Sequence, residues 1–122
     1  MYINGFVVPV PADKRANYKQ MAEQFWEIAK EYGALSQIEA WEADVKDGKQ
    51  TDFRRAVNLA PGEKVVFSWM TWKDRAAADA GQEKMMADPR MKAFNAQMPF
   101  DGKRMIFVGF EPLVVKEAEA RH

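Results

Sequence analysis

A chain of 122 residues, 48% of them hydrophobic, is long enough for one domain with a core and too apolar to be disordered. Eighteen basic residues balance eighteen acidic ones, so the basic surplus of a nucleic-acid binder is missing. With no cysteine, disulfides, thiolate metal sites and cysteine nucleophiles are excluded together.

No apolar run approaches the roughly 20 residues of a membrane span. The opening MYINGF has neither the basic region nor the apolar core of a secretion signal. The expectation is a cytoplasmic protein with no membrane partner. The single histidine, His122, is the last residue, a poor position for a catalytic base or a haem ligand.

Tyr2 to Val10 reads as a strand ended by Pro9 and Pro11, because proline cannot donate to a sheet. Asp13 then has the chemistry of an N-cap. Tyr18, Met21, Ala22, Phe25, Ile28, Ala29 and Tyr32 recur at helical spacing, and Gly33 suits the left-handed position after the helix. Leu35 to Asp44 is a second, more polar strand, with Ser36, Ile38, Ala40 and Glu42 opposite Gln37, Glu39 and Trp41. Its mixed character predicts a sheet edge or an outlet near a cavity. A long loop, Val45 to Gly62, follows. Loops of this length are uncommon and often functional.

The organising stretch is Glu63 to Met86. Val65, Phe67 and Trp69 alternate with Val66, Ser68, Met70 and Trp72, so this strand is apolar on both faces and needs both covered. Asp74 caps the helix after it. Asp88-Pro89 stops that helix and opens a shorter one carrying Met91, Phe94 and Met98. The last strand is placed at Arg104 to Leu113, with Ile106, Val108 and Phe110 opposing Met105, Phe107 and Gly109. The domain is therefore set at residues 1–113 and a charged tail at 114–122.

Strand, helix, strand, strand, helix, strand is the α+β, ferredoxin-like βαββαβ order: a four-stranded antiparallel sheet with both helices on one face. The far face is left bare and apolar, which predicts a homodimer closed sheet to sheet through that face.

Five segments carry a resemblance over nearly the whole chain: MYINGFVVPVP, DVKDGKQTDFRRAV, EKVVFSWMTWKDR, MMADPRM and MPFDGKRMIFVGFE. They are similar to the DUF1428 family of uncharacterised bacterial proteins, within the dimeric α/β-barrel superfamily. The resemblance implies the fold and a dimer with its sheets packed together. It brings no established reaction, because that superfamily mixes haem-binding and haem-degrading proteins, cofactor-free monooxygenases, isomerases and proteins without assigned activity. Haem-binding members use an internal histidine, and this chain has none, so neither haem nor another cofactor is expected.

Candidate site residues follow from the loops and the apolar strands. Arg54 in the long loop and Arg104 before the last strand could each hold an anionic or enolised oxygen through a planar guanidinium. Adjacent Arg54 and Arg55, taken as extended, point to opposite sides. Phe6, Phe67, Trp69 and Phe107 are the proposed aromatic wall of a cavity between subunits, and Asp52 and Asp101 are the candidate bases. Asn4 and Ser68 are isolated polar groups among apolar neighbours. No residue cluster has metal-site spacing.

The functional expectation is a small homodimer that binds an apolar small molecule with an anionic or enolisable group. The alternatives are a non-catalytic structural or interaction domain with a filled core, and a cofactor-free monooxygenase or isomerase.

Overall fold

In the computed structural model, which describes residues 1–118, β3 (Glu63–Trp72) lies at the centre of the sheet. Its neighbours are β1 (Tyr2–Pro11) on one side and β2 (Ser36–Trp41) on the other, with β4 (Ile106–Phe110) beyond β1. The order β2-β3-β1-β4, antiparallel at every pairing, is the ferredoxin-like sheet. Central placement is what a strand apolar on both faces requires.

Registers of Phe6 with Ser68, Phe6 with Phe107, and Glu39 with Ser68 fix which side chains share a face. Val8, Val10, Val66, Met70 and Trp72 face the helices and are buried there. Ile3, Val7, Phe67, Trp69, Ile38 and Val108 have the opposite parity and form the second, largely open face. Helix α1 (Arg15–Glu31) buries Tyr18, Ala22, Ile28 and Ala29 on the covered face. Helix α3 (Arg75–Ala87) adds Ala78 and Met85, with the Asp74 side chain capping it by accepting from Ala77 N at 2.7 Å.

Gly81 lets α3 settle directly on Trp72. A β-carbon there would stand 2.5 Å from the indole and 2.6 Å from the Tyr32 carbonyl oxygen.

Several boundaries differ from the sequence reading. Strand β1 continues through Pro9 to Pro11. Its β4 partner ends opposite Val7, so beyond that point one edge of β1 is open and no ladder donor is missed there. Asp13 lies in a short 3-10 turn, Ala12–Lys14, and makes no cap; α1 begins after it without a side-chain cap. Gly33 does take a positive φ of 109°.

The long loop contains a helical turn, α2 (Phe53–Ala56), capped by Asp52, so Arg54 and Arg55 are helical neighbours and not extended ones. The Phe53 ring on α2 packs 5.8 Å from that of Phe67, so the loop covers part of the open face. A 3-10 turn at Gly102–Arg104 delays β4 to Ile106. Helix α4 (Arg90–Ala96) completes the covered side. Residues 111–118 follow outside any helix or strand, and exposed Leu113, Val114 and Val115 make the start of this segment apolar.

Candidate functional site

Between the sheet and helices α1 and α4 lies a cavity of about 210 Å³. Phe6, Phe25, Met70, Met91, Phe94 and Phe100 are among the apolar residues of its wall. Polar side chains break the apolar lining, Tyr18, Gln37, Glu39 and Ser68 near β2 and Asn95 on α4. The pleat explains the gathering. Glu39 and Gln37 share the helix-facing parity of β2, and Ser68 is the cross-strand partner of Glu39. Tyr18 reaches them from α1.

The Tyr18 hydroxyl donates to Glu39 Oε1 in a short hydrogen bond. Gln37 Nε2 donates to the Ala22 carbonyl oxygen at 3.1 Å, while Gln37 Oε1 is buried without a donor. A buried acceptor left unpaired is costly and uncommon. Glu39 belongs to an edge strand and its residue is exposed overall, with the hydroxyls of Tyr18 and Ser68 beside its carboxylate.

Loss of water raises the Glu39 pKa above the ordinary carboxylate value, and the hydroxyls of Tyr18 and Ser68 oppose that rise only in part. No cation contributes to holding it ionised. Burial, and then the nearby Glu39 charge, raise the Tyr18 pKa well above its usual range, so it stays a phenol. A carboxylate of heightened basicity beside a permanent hydroxyl donor can accept a proton or a hydrogen bond from a bound hydroxyl or enol.

The residues singled out from sequence fall elsewhere or in different company. Phe6 and Phe107 stack on the helix side, 5.0 Å apart, while Phe67 and Trp69 lie 5.4 Å apart on the open face. Opposite parity on paired strands separates the two couples, so they do not form one wall. Only Phe6 among the four lines the cavity.

Arg104 is engaged by Glu63 through two contacts of 2.7 Å, by Asp101 at 3.0 Å and by the Asn58 carbonyl oxygen at 2.9 Å. Arg54 donates to the Val45 carbonyl oxygen at 2.9 Å and meets Glu42 at 3.5 Å, fastening the long loop. Asp52 accepts from the Arg55 and Gly48 amides, which lower its pKa; Arg104 lowers that of Asp101. Both aspartates are therefore weaker bases than free ones.

Asn4 is structural, its Oδ1 accepting from Trp72 Nε1 at 2.8 Å and Gln82 Nε2 at 2.6 Å. Ser68 alone of the two isolated polar groups reaches the cavity. Among the described residues no three His, Asp or Glu side chains gather as a metal site. His122 lies outside the described residues.

Sequence reasoning passed over Tyr18, Gln37 and Glu39. The available signal was that Gln37 and Glu39 share one strand face with Trp41, an amphipathic parity the sequence could not assign to the helix side.

Residues 1–102 match the family described as "Protein of unknown function (DUF1428)". The chain belongs to the DUF1428 family. It is 53% identical over 113 residues to the uncharacterised protein YbaA of Escherichia coli K12, covering 93% of this chain and 97% of YbaA.

Solved structures of the same fold include an uncharacterised NIPSNAP domain protein from Burkholderia xenovorans. It has a TM-score of 0.57, 18% identity, and 97% of this chain and 100% of that one covered. A Streptomyces coelicolor monooxygenase from the gene ActVA-Orf6, solved with nanaomycin D, has a TM-score of 0.57 at 17% identity and covers 97% and 92%. A dimeric ferredoxin-like protein from an uncultured marine organism has a TM-score of 0.53 at 8% identity, with 98% and 100% covered. At these identities the likeness carries the fold of this DUF1428 protein and no activity. No described helix is long and apolar enough to cross a membrane.

Proposed function

We propose that the helix-side cavity binds a small, mostly apolar molecule that presents a hydroxyl or an enolisable group to Glu39. The supporting observation is the Glu39 carboxylate, held by hydroxyls and without a cation, at the wall of an apolar space. Glu39 then serves as hydrogen-bond acceptor or general base, and the Tyr18 hydroxyl orients it. A proton taken from an enolisable carbon would pass to Glu39 and leave an enolate.

The test is an NMR titration of the ¹⁵N-labelled protein with octane-1,3-diol, an apolar chain with hydroxyl donors. Shifts should centre on Ala22, Gln37, Met70 and Phe94, and Glu39→Gln should weaken binding by about tenfold, since a charged acceptor makes the stronger bond. Absence of shifts, or shifts confined to the open sheet face, would overturn the reading.

We further propose that a second copy of the chain covers the open face. Ile38, Phe67, Val108 and Phe110 are 46%, 43%, 39% and 58% exposed along it, a row of apolar side chains that an isolated domain leaves in water. Sedimentation at low micromolar concentration should show a dimer; a single 14.0 kDa species there would defeat this proposal.

A further inference from the structure

Outside the cavity, α1 and the edge strand β2 leave an open cleft of about 700 Å³. Tyr18, Ala22, Gln37 and Glu39 line both spaces. They stand between the two spaces as a neck, closed in this structure by the Tyr18–Glu39 hydrogen bond and by the bond from Gln37 to the Ala22 carbonyl oxygen.

The charges around the cleft are unequal in how they are used. Lys19 is tied to Glu23 at 2.6 Å. Arg15 lies over the Trp41 ring at 5.3 Å from its centroid and meets no carboxylate among the described residues. An arginine held by an aromatic face keeps its hydrogen-bonding fork available. The open cation therefore stands on the cleft side of the neck, and the apolar chamber lies behind it.

From this we infer that the ligand is an amphipathic acid: its apolar end fills the inner cavity, its hydroxyl or enolisable carbon sits at the neck, and its carboxylate extends into the cleft toward Arg15. This rests on the proposed binding site and adds the direction and charge of the ligand. The chemical class is a hydroxy or oxo acid whose polar carbon lies close to the carboxylate. A bare fatty acid offers Glu39 neither a hydroxyl donor nor an enolisable carbon beside an oxo group.

The matched probes are 3-hydroxyoctanoate and octane-1,3-diol, which differ only in carboxylate against hydroxymethyl, each titrated by NMR into the intact protein. The acid should bind about tenfold more tightly than the diol. Arg15→Gln should remove that preference by weakening the acid while leaving the diol unchanged, and Lys19→Gln should keep it. Equal binding of the two probes, or a preference that survives Arg15→Gln, overturns the orientation while leaving the site standing. If neither probe binds, the site itself is wrong and the orientation falls with it.

Discussion

Two tyrosine–carboxylate pairs lie on the helix side of this protein and end in opposite electrostatic states. Tyr32 donates to Asp88 at 2.7 Å, as Tyr18 does to Glu39. Asp88 also receives the Arg90 side chain at 2.8 Å and the Arg90 amide at 2.9 Å, and Arg90 reaches on to Glu31 at 2.6 Å. Those donors, Arg90 first, drive the Asp88 pKa far below its usual value although its side chain is only 7% exposed. Glu39 has hydroxyl donors and no cation, so desolvation wins and its pKa rises. The lesson is that burial alone does not decide basicity; a guanidinium does. One pair clamps α1 to the start of α4, and the other keeps an unspent base at a cavity.

The largest effect should come from breaking the clamped side without touching a charge. Gly81→Ala drives a methyl group into Trp72 and into the Tyr32 carbonyl oxygen. Backbone cannot yield as a side-chain tip can, so α3 must move off the sheet. We expect a loss of about 2 kcal/mol, and a Tm lowered by about 8 °C. A Tm within 2 °C or so of the parent would show that Trp72 is not packed as described.

Titration should separate the pairs by sign. The folded-state pKa of Asp88 is depressed, so its contribution is present above the ordinary aspartate value near 4 and is lost as pH falls below that. Asp88→Asn should lower Tm at pH 7 by about 5 °C and flatten the acid limb of stability against pH. Glu39 runs the other way. Its folded pKa is raised, so the folded state keeps a proton that the unfolded state has released, and stability falls as pH climbs from the ordinary glutamate value to the folded one. Glu39→Gln should abolish that fall and raise Tm near pH 7.5 by about 3 °C. Thermal unfolding from pH 3 to 9 reads both, and limbs of the same sign would remove the contrast.

Much of the architecture was legible in the alternation of β3 and the spacing of α1, because periods of two and near 3.6 report burial directly. The family resemblance and the strand order agreed with it. The site was not legible in the same way. Strand parity says that Phe6 and Phe67 each oppose their sequence neighbours, but register between strands decides whether the two share a face, and register is a long-range property.

Arg54 and Arg104 drew attention as charges in unusual segments, yet their carboxylate partners, Glu42 and Glu63, are distant enough in sequence to hide the pairing. Asp52 was likewise hidden by an unforeseen helical turn, which turned a candidate base into a cap. Glu39 lies on the strand face opposite Glu42, and its contact with Tyr18 across 21 positions had no local signature.

The smallest effect is also the sharpest test of how the open pair is tuned. Tyr18→Phe deletes the hydroxyl that favours the charged form of Glu39, leaving Ser68 as the remaining side-chain donor. The Glu39 midpoint should therefore move further up. Tyr32→Phe removes the phenol that donates to Asp88 but leaves Arg90, so Asp88 should remain below the ordinary carboxylate range. Stability should change by no more than about 1 kcal/mol in either variant, the net worth of one hydrogen bond. Carboxyl ¹³C shifts followed by NMR across the titration measure both midpoints in the folded protein. A Glu39 midpoint that stays put or falls in Tyr18→Phe would mean that the phenol does not donate to it. An Asp88 midpoint that rises into the ordinary range in Tyr32→Phe would mean that tyrosine, and not arginine, sets the difference between the pairs.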